Sequence, residues 1–344
     1  MNIRLIHQVS GRVLWISRNN EIYLARNYQI FQSNDLGKTW QLRWRIPLKG
    51  WKNFVPLSRL ATRLLRQEIR SFVLLSDGTP IVVSRHGIYR ASSEGDMDFV
   101  MIPDDGTPLN MCVDRNDRVL FGDYGYSGTK RIYASFDRGR TFDTVYEFPL
   151  GSIKHIHGIQ EDIYEGGFWV FVGDSNEQSG IAKLSSDLKH LDWVARGSQN
   201  VRVVQAIIEP DCLYYGTDSE FIKNHIVRFD KGSGKISPIL PVEGSSLFAA
   251  KFGEKRVIAT CVEPNKEYYH PKAALYYSLG DSKWSKIIEH TKDCWHPSFF
   301  QFGTYVLPKC FSNGNFGAFS GQSLKGIDNQ TVIFQWPELE ESHL

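Results

Sequence analysis

Short apolar runs recur along this chain of 344 residues, and turn-forming residues separate them. Leu120–Gly122, Phe171–Gly173 and Tyr215–Gly216 each end an aromatic-containing run in glycine, and an aspartate follows within two residues. Aromatic and β-branched residues favour strands, whereas glycine and aspartate favour turns. Aromatic residues make up 13% of the chain, which also contains 29 glycines. This pattern predicts an all-β protein of many short strands.

Two octets share one pattern, because residues 33–40 and residues 135–142 both spell Ser-x-Asp-x-Gly-x-Thr-aromatic. An aspartate accepts hydrogen bonds from backbone N–H groups that follow it, and glycine adopts a positive φ at little cost. Each octet is therefore predicted to close a hairpin, which gives Asp35 and Asp137 a structural role. Weaker copies recur at intervals of roughly 42–51 residues, the size of a four-stranded blade. They lie at 92–95, 185–187, 230–232, 278–281 and 319–321.

The octet resembles the Asp box of the sialidase-like β-propellers. The resemblance implies a seven-bladed β-propeller of four-stranded blades, with residues 331–336 and the N-terminal strands closing the ring. It also implies a single domain over residues 1–344. The Arg45-Ile46-Pro47 motif matches a sialidase signature, but here it follows the first octet, whereas in that family it precedes the boxes. The resemblance therefore carries over the architecture and no catalytic residue.

Loops at the end of the ring opposite the octets are the predicted functional region, because loops on a rigid scaffold commonly carry function. Several acidic, aromatic and basic residues fall on the predicted loops between the second and third strands of successive blades. They are Asp123, Tyr124, Tyr126, Asp174, Asp218, Glu263 and Lys309. A strand that ends in Gly-Asp is also an ordinary Asx-turn, which is the structural alternative.

Two histidines begin the predicted inner strand of the fourth blade. His155 and His157 alternate along this strand, so a period of two residues places both side chains on one face. Such a pair can bind a divalent metal, or it can supply a catalytic base and its partner. One packed and one solvated histidine is the structural alternative. Arg202 and His296 are predicted to begin the inner strands of the fifth and seventh blades and to bind substrate.

Two mechanisms fit such a site. In β-elimination, His157, Tyr124 or Tyr126 removes the proton α to a uronate carboxylate. Arg202 or Lys309 then neutralises that carboxylate. In hydrolysis, two of the four loop carboxyl groups act as acid and base on a glycosidic bond. Both mechanisms predict a protein that cleaves an acidic poly- or oligosaccharide. The alternative from another class is a non-catalytic propeller that binds a glycan or a protein.

Overall charge and cysteine content bear on the class of partner and on the cellular compartment that the sequence predicts. The net charge of +2 gives no argument for a nucleic-acid partner. Five scattered cysteines lack CxxC spacing and are predicted to be thiols in a reducing compartment. The first residues do not resemble a signal peptide, and no apolar run approaches about 20 residues. We therefore expect a cytoplasmic protein, peripheral to a membrane if its basic segment binds one.

That basic segment is an insertion at 49–70, between the first two blades. Ser58 is a predicted helix N-cap, and leucines at 57, 60 and 64 follow helical spacing. The arginines of the segment form a second stripe, which consists of Arg59, Arg63, Arg66 and Arg70. Their charge predicts contact with an anionic membrane surface, an acidic glycan or a partner protein, whereas solvated arginines on a covering helix are the structural alternative.

Overall fold

The computed structural model describes residues 3–48, 50, 58–92, 95–263, 269–280, 283–297 and 299–336. Their regular secondary structure is almost entirely β-strand, as the sequence predicts. Their single α-helix is α1 (Arg59–Leu64), and a short 3₁₀ helix spans Gln199–Val201. No helix in this part of the chain is both long enough and apolar enough to cross a membrane.

The strands follow one another closely along the chain. The first thirteen are β1 (Arg4–Ser10), β2 (Arg12–Ile16), β3 (Ile22–Arg26), β4 (Gln29–Ser33), β5 (Gln41–Arg45), β6 (Ile69–Leu74), β7 (Pro80–Ser84), β8 (Gly87–Ala91), β9 (Met97–Met101), β10 (Cys112–Val113), β11 (Val119–Gly122), β12 (Arg131–Ser135) and β13 (Asp143–Glu147). The next eight are β14 (His155–Glu161), β15 (Phe168–Gly173), β16 (Gly180–Leu184), β17 (Leu191–Arg196), β18 (Ala206–Ile208), β19 (Cys212–Gly216), β20 (His225–Asp230) and β21 (Ile236–Pro241). The last eight are β22 (Ser246–Phe252), β23 (Lys255–Val262), β24 (Lys272–Leu279), β25 (Trp284–Thr291), β26 (Gly303–Val306), β27 (Lys309–Cys310), β28 (Phe316–Gln322) and β29 (Gln330–Gln335).

Most strands pair antiparallel with their neighbours in sequence and form successive four-stranded sheets. These sheets are β6–β9, β10–β13, β14–β17 and β18–β21. Strands β2–β5 form a further sheet, to which β27 adds in parallel beside β2. The remaining strands form one eight-stranded sheet. Within it, β22–β25 join β26, β28, β29 and β1 through the antiparallel pairing of β23 with β26.

The sheets are arranged in a ring. The first strands of neighbouring sheets are in contact: β2 with β6, β6 with β10, β10 with β14, and β18 with β22. The Gln160 side chain exchanges two hydrogen bonds with the backbone of Ala206 and so ties β14 to β18. At the closure, β1 pairs with β29, and β2 packs against β28 and β29. Sheets placed side by side around a central channel are the arrangement of a β-propeller.

The core lies between adjacent sheets. Phe171 of β15, Tyr215 of β19 and Phe229 of β20 belong to one cluster and are fully buried. Burying each such side chain contributes about 1.5–3 kcal/mol. The second and third strands of these sheets are therefore packed firmly against their neighbours, and the loops that join them are held by a rigid frame.

Both octets close hairpins between the third and fourth strands of their sheets, as predicted. Asp35 accepts hydrogen bonds from the backbone N–H (2.9 Å) and the hydroxyl (2.6 Å) of Thr39. Asp137 makes the equivalent bonds to Thr141 at 2.9 and 2.7 Å. The glycine of the first octet, Gly37, has a φ of +89°. Of the weaker copies, those at 92–95 and 278–281 extend outside the described residues.

The basic insertion differs from its predicted role. Ser58 caps α1 by accepting a hydrogen bond from the Ala61 backbone N–H, which confirms the predicted helix start. Two arginines of the stripe, however, pack within the fold. Arg59 binds both carboxylate oxygens of Asp328, and Arg63 is buried against Asp293 at 2.5 Å. The predicted contact with an outside partner is therefore wrong for Arg59 and Arg63, because folding pairs both with carboxylates, whereas Arg66 is exposed. Residues 49 and 51–57 of the insertion lie outside the described residues.

Candidate functional site

A cavity of about 540 Å³ opens at the centre of the ring. Its walls come mainly from the starts of the inner strands and from loops between second and third strands. In an antiparallel sheet these connections lie at the end opposite the third-to-fourth turns that the octets occupy. The described residues that line the cavity include nine of the predicted site residues: Tyr124, Tyr126, His155, His157, Asp174, Arg202, Asp218, Glu263 and Lys309.

Two histidines and an aspartate converge on the cavity wall from one hairpin. His155 and His157 belong to β14, and Asp174 directly follows the paired strand β15. The Nε2 atom of His155 is 3.0 Å from Asp174 Oδ1, and the Nε2 atom of His157 is 3.2 Å from the same oxygen. Both imidazole rings are buried. The predicted same-face placement of the two histidines therefore brings them to a single carboxylate.

Local backbone features set the orientation of His157. The pairing of β14 with β15 shifts register between Ile156 and Gly158, so His157 lies at a β-bulge, which can redirect a side chain. Gly173 lies beside its ring, and a Cβ atom at that position would be 2.5 Å from His157 Cε1. On the other side of the ring, Nδ1 is 3.0 Å from the Val203 carbonyl oxygen. Both ring nitrogens of His157 thus have fixed neighbours.

Asp174 is surrounded by positive charge. Lys154 Nζ donates to Oδ2 at 2.7 Å, and an Arg202 guanidinium nitrogen is 3.3 Å from Oδ1. Burial disfavours the carboxylate, but hydrogen bonds with His155, His157 and Lys154 outweigh it and hold the pKa of Asp174 below its usual range. Asp174 is therefore ionised at neutral pH.

Three further carboxyl groups, those of Asp218, Glu220 and Glu263, interact with Arg202. The guanidinium of Arg202 is 3.5 Å from Asp218 and 3.4 Å from Glu220. Burial, followed by the charge of Glu263, raises the pKa of Asp218. Burial also raises the pKa of Glu263. Proximity of two buried carboxyl groups favours retention of a proton by the pair at a pH where an exposed acid would be ionised.

Two tyrosines border the histidines. The ring centroid of Tyr124 is 4.5 Å from that of His155, whereas Tyr126 is 79% exposed at the rim. Burial and the charges of Asp218 and Asp174 raise the pKa of Tyr124, so its phenol is protonated at neutral pH. Lys154 Nζ lies 5.4 Å from the Tyr126 ring centroid.

Basic side chains form the opposite wall of the cavity, and of these the sequence interpretation assigned only Lys309 to the site. Arg12 begins β2, and Arg70 belongs to β6 instead of a helix. Arg66 joins them, while Lys309 donates to the Met111 carbonyl and burial lowers its pKa to about 8. Arg12, Arg70 and His155 all lie at the start of an inner strand, and that shared position was the available sequence signal.

Two predicted site residues do not line the cavity. Asp123 accepts a hydrogen bond from the Arg131 backbone N–H at 2.9 Å, and burial raises its pKa to about 6. It therefore closes the end of the β11–β12 ladder. His296 lies in an exposed loop before β26 and does not begin the inner strand, which starts at Gly303. Its predicted position was wrong because the loop after β25 is longer than the blade spacing suggested.

Comparisons with known proteins support the fold. No family model and no curated protein sequence matches the chain. A structure of the mitotic checkpoint complex aligns with a TM-score of 0.63 at 10% identity, over 98% of this chain and 96% of that one. The RRP9 WD40 repeats align at a TM-score of 0.60 and 9% identity, over 97% of each chain. The WD40 β-propeller domain of Doa1 aligns at 0.57 and 13% identity, also over 97% of each. The chain therefore has a β-propeller fold.

Proposed function

We propose that the protein is a carbohydrate-active enzyme that holds an acidic saccharide in this cavity and cleaves it by β-elimination. The observation that carries the proposal is the division of the cavity into a basic wall and a wall of proton-transfer groups. Its volume of about 540 Å³ is within the usual range for small-molecule sites, about 300–1,000 Å³.

The charge balance favours an anionic ligand. Six basic and five carboxyl side chains line the described part of the cavity. The basic ones are Arg12, Arg66, Arg70, Lys154, Arg202 and Lys309, and the acidic ones are Glu68, Asp174, Asp218, Glu220 and Glu263. The formal charge of these side chains is therefore positive, and the raised pKa values of Asp218 and Glu263 favour the same sign. Arg202 is committed to its carboxylate neighbours, so the uronate carboxylate is assigned to the wall of Arg12, Arg66 and Arg70.

Tyr124 is assigned the proton transfer. Burial raises the pKa of its phenol and the charge of Arg70 offsets this only in part, so in the proposed step Tyr124 first passes its own proton to the neighbouring His155 ring. In a syn elimination one group removes the α-proton and returns it to the leaving sugar oxygen. The C–O bond breaks, a C=C bond forms in conjugation with the carboxylate, and no net proton is consumed.

Hydrolysis is the second candidate, and the Asp218–Glu263 pair favours it. A carboxyl group with a raised pKa can stay protonated and act as a general acid on a glycosidic oxygen. Hydrolysis releases a reducing end without forming a C=C bond, so the product separates the two reactions.

The test is an assay on a panel of uronate polysaccharides that records both new reducing ends and the ultraviolet absorbance of the unsaturated product. We expect wild-type protein to generate both signals. Tyr124→Phe should lower turnover about 10²- to 10⁴-fold, the usual contribution of acid–base catalysis. Tyr164→Phe, at the opposite end of β14, is the matched control and should retain turnover.

If reducing ends appear without ultraviolet absorbance, the reaction is hydrolysis and not elimination, and Asp218→Asn is then the variant expected to lose activity. If the saccharides bind but are not cleaved, the protein is a non-catalytic binding propeller and both proposed reactions are wrong.

We also propose seven blades of the Asp-box type. The eight-stranded sheet then counts as two blades, β22–β25 and β26, β28, β29 and β1, bridged through two residue pairs of β23 with β26. An experimental structure in which this bridge extends along the full length of both strands would contradict the count.

A further inference from the structure

Two ring nitrogens, His155 Nε2 and His157 Nε2, face one carboxylate oxygen, Asp174 Oδ1, at 3.0 and 3.2 Å. A backbone carbonyl only accepts hydrogen bonds, so the contact of His157 Nδ1 with the Val203 oxygen places a proton on Nδ1. Nε2 is therefore the nitrogen of His157 that can bind a metal, and it is directed at the carboxylate. Lys154 and Arg202 contact the same carboxylate.

The environment of His155 is different. Its ring is 3% exposed, and Nδ1 has no hydrogen-bond partner among the described residues. Its Nε2 atom is directed at the same Asp174 oxygen, at 3.0 Å. A buried polar atom without a partner is uncommon in native proteins and calls for an explanation.

We propose that His155, His157 and Asp174 bind a divalent transition-metal ion such as Zn²⁺ or Mn²⁺. The ion would lie between the two Nε2 atoms and Asp174 Oδ1, which are all within 4.8 Å of one another. Two ligand atoms about 2.1 Å from one ion lie about 3.0–3.4 Å apart at octahedral to tetrahedral angles. The observed separations of 3.0 and 3.2 Å fall in that range.

The surroundings of His157 fit this role. Metal-bound histidines usually donate their second ring N–H to a carboxylate or a backbone carbonyl, and the Val203 carbonyl is such a partner. Gly173 provides the space in which the ring is held. Three protein ligands leave coordination positions open toward the cavity, which is typical of catalytic and not of structural metal sites.

Arg202 and Lys154 contact the same carboxylate and add positive charge near the ion. The carboxyl groups of Asp218, Glu220 and Glu263 interact with Arg202 and offset part of this positive charge. The metal proposal rests on ligand geometry and stands apart from the proposed cleavage reaction.

The first experiment titrates chelator-treated full-length protein with Zn²⁺ and Mn²⁺ by calorimetry, without saccharide. We expect saturation at one ion per chain. His157→Ala and Asp174→Asn should each weaken binding at least about 100-fold, while His190→Ala, which removes an exposed histidine, should bind as wild type does. Circular dichroism verifies that each variant folds. Absence of binding to wild type, or equal affinity in all variants, would overturn the proposal.

A second measurement needs no variant. Wild-type protein loaded with one equivalent of Cu²⁺, which binds nitrogen ligands strongly, is examined by electron spin echo modulation. Nitrogen modulation from two imidazoles is expected, and spectra without imidazole nitrogen would contradict the assigned ligands. Because neither experiment uses a saccharide, failure of the cleavage assay leaves their outcome unaffected.

Discussion

Two aspartates at opposite ends of one sheet, one buried and one half-buried, have different kinds of neighbours. Asp162 follows β14 and is completely buried. Every contact to its carboxylate comes from a group that can only donate a hydrogen bond. The donors are the backbone N–H groups of Tyr164 and Glu165, the Trp169 indole N–H, and the ammonium groups of Lys183 and Lys231. Asp162 is therefore fully satisfied by the folded chain itself.

Asp174 follows β15 at the other end and has contacts of two kinds. Lys154 and Arg202 donate to it, and the remaining contacts are the Nε2 atoms of His155 and His157. The comparison shows that burial and charge pairing alone do not mark a functional site. A carboxylate that lies beside two imidazole nitrogens does, because the three groups can bind one ion.

The largest expected effect is a loss of stability on mutation of the structural aspartate, Asp162. Asp162→Asn leaves Lys231 buried without its counter-ion, and breaking a buried ion pair costs about 3–5 kcal/mol. Urea unfolding should record a loss of that size in the free energy of unfolding. Asp187→Asn, in an exposed turn, is the control and should change it little. A loss below about 1 kcal/mol for Asp162→Asn would break the comparison.

Gly173→Ala tests the functional aspartate, Asp174, through the position of its neighbour His157. Its Cβ atom would lie 2.5 Å from His157 Cε1, so the buried ring must move away from Asp174. Overpacking costs about 1–3 kcal/mol, and metal affinity should fall at least tenfold. Gly232→Ala is the matched control, since the nearest atom to its Cβ is 3.7 Å away. Unchanged metal affinity in Gly173→Ala would show that His157 is not held by this contact.

Ser135→Ala extends the comparison to the octet turns, where the aspartates are structural and half-buried. The buried Ser135 hydroxyl accepts from the Gly139 backbone N–H at 2.7 Å and donates to Asp137 at 2.8 Å. Removing it leaves a buried donor without a partner, which costs about 1–3 kcal/mol. Ser185→Ala, in the more exposed copy, should cost less by the same unfolding assay. Equal costs at both sites would argue against burial as the cause.

The smallest effect is a pH dependence at the same turn. Burial opposes ionisation of Asp137, but hydrogen bonds from Thr141 and Ser135 lower its pKa to about 2. Because the folded pKa lies below the unfolded value, this stabilisation is present above about pH 4 and is lost as the pH falls through 2. The difference in melting temperature between wild type and Asp137→Asn should therefore shrink between pH 7 and pH 2. A constant difference would contradict the assigned hydrogen bonds.

The sequence was most informative where the determining contacts are local. The octet turns depend on bonds within about four residues, so Ser33, Asp35 and Thr39 predict their own geometry. Alternation along one strand likewise predicts that His155 and His157 share a face.

Residues whose positions depend on ring closure were harder to predict. Arg12 and Arg70 reach the cavity because the ring brings β2 and β6 next to the channel, and their only sequence signal is a position at the start of an inner strand. Arg59 and Arg63 follow a helical stripe, yet their partners Asp293 and Asp328 lie more than 200 residues away. Asp123 shares the Gly-Asp pattern of Asp174 but turns toward its own ladder.

The most direct test compares the two aspartates by metal-dependent stability. Urea unfolding of wild type, Asp162→Asn and Asp174→Asn is measured after chelation and again with Zn²⁺ at 100 times its dissociation constant for wild type. A ligand at that concentration raises the free energy of unfolding by about 2.7 kcal/mol. We predict this increment for wild type and for Asp162→Asn, and its loss in Asp174→Asn. Equal increments in both variants, or none in wild type, would contradict the assignment of Asp174 to a metal centre.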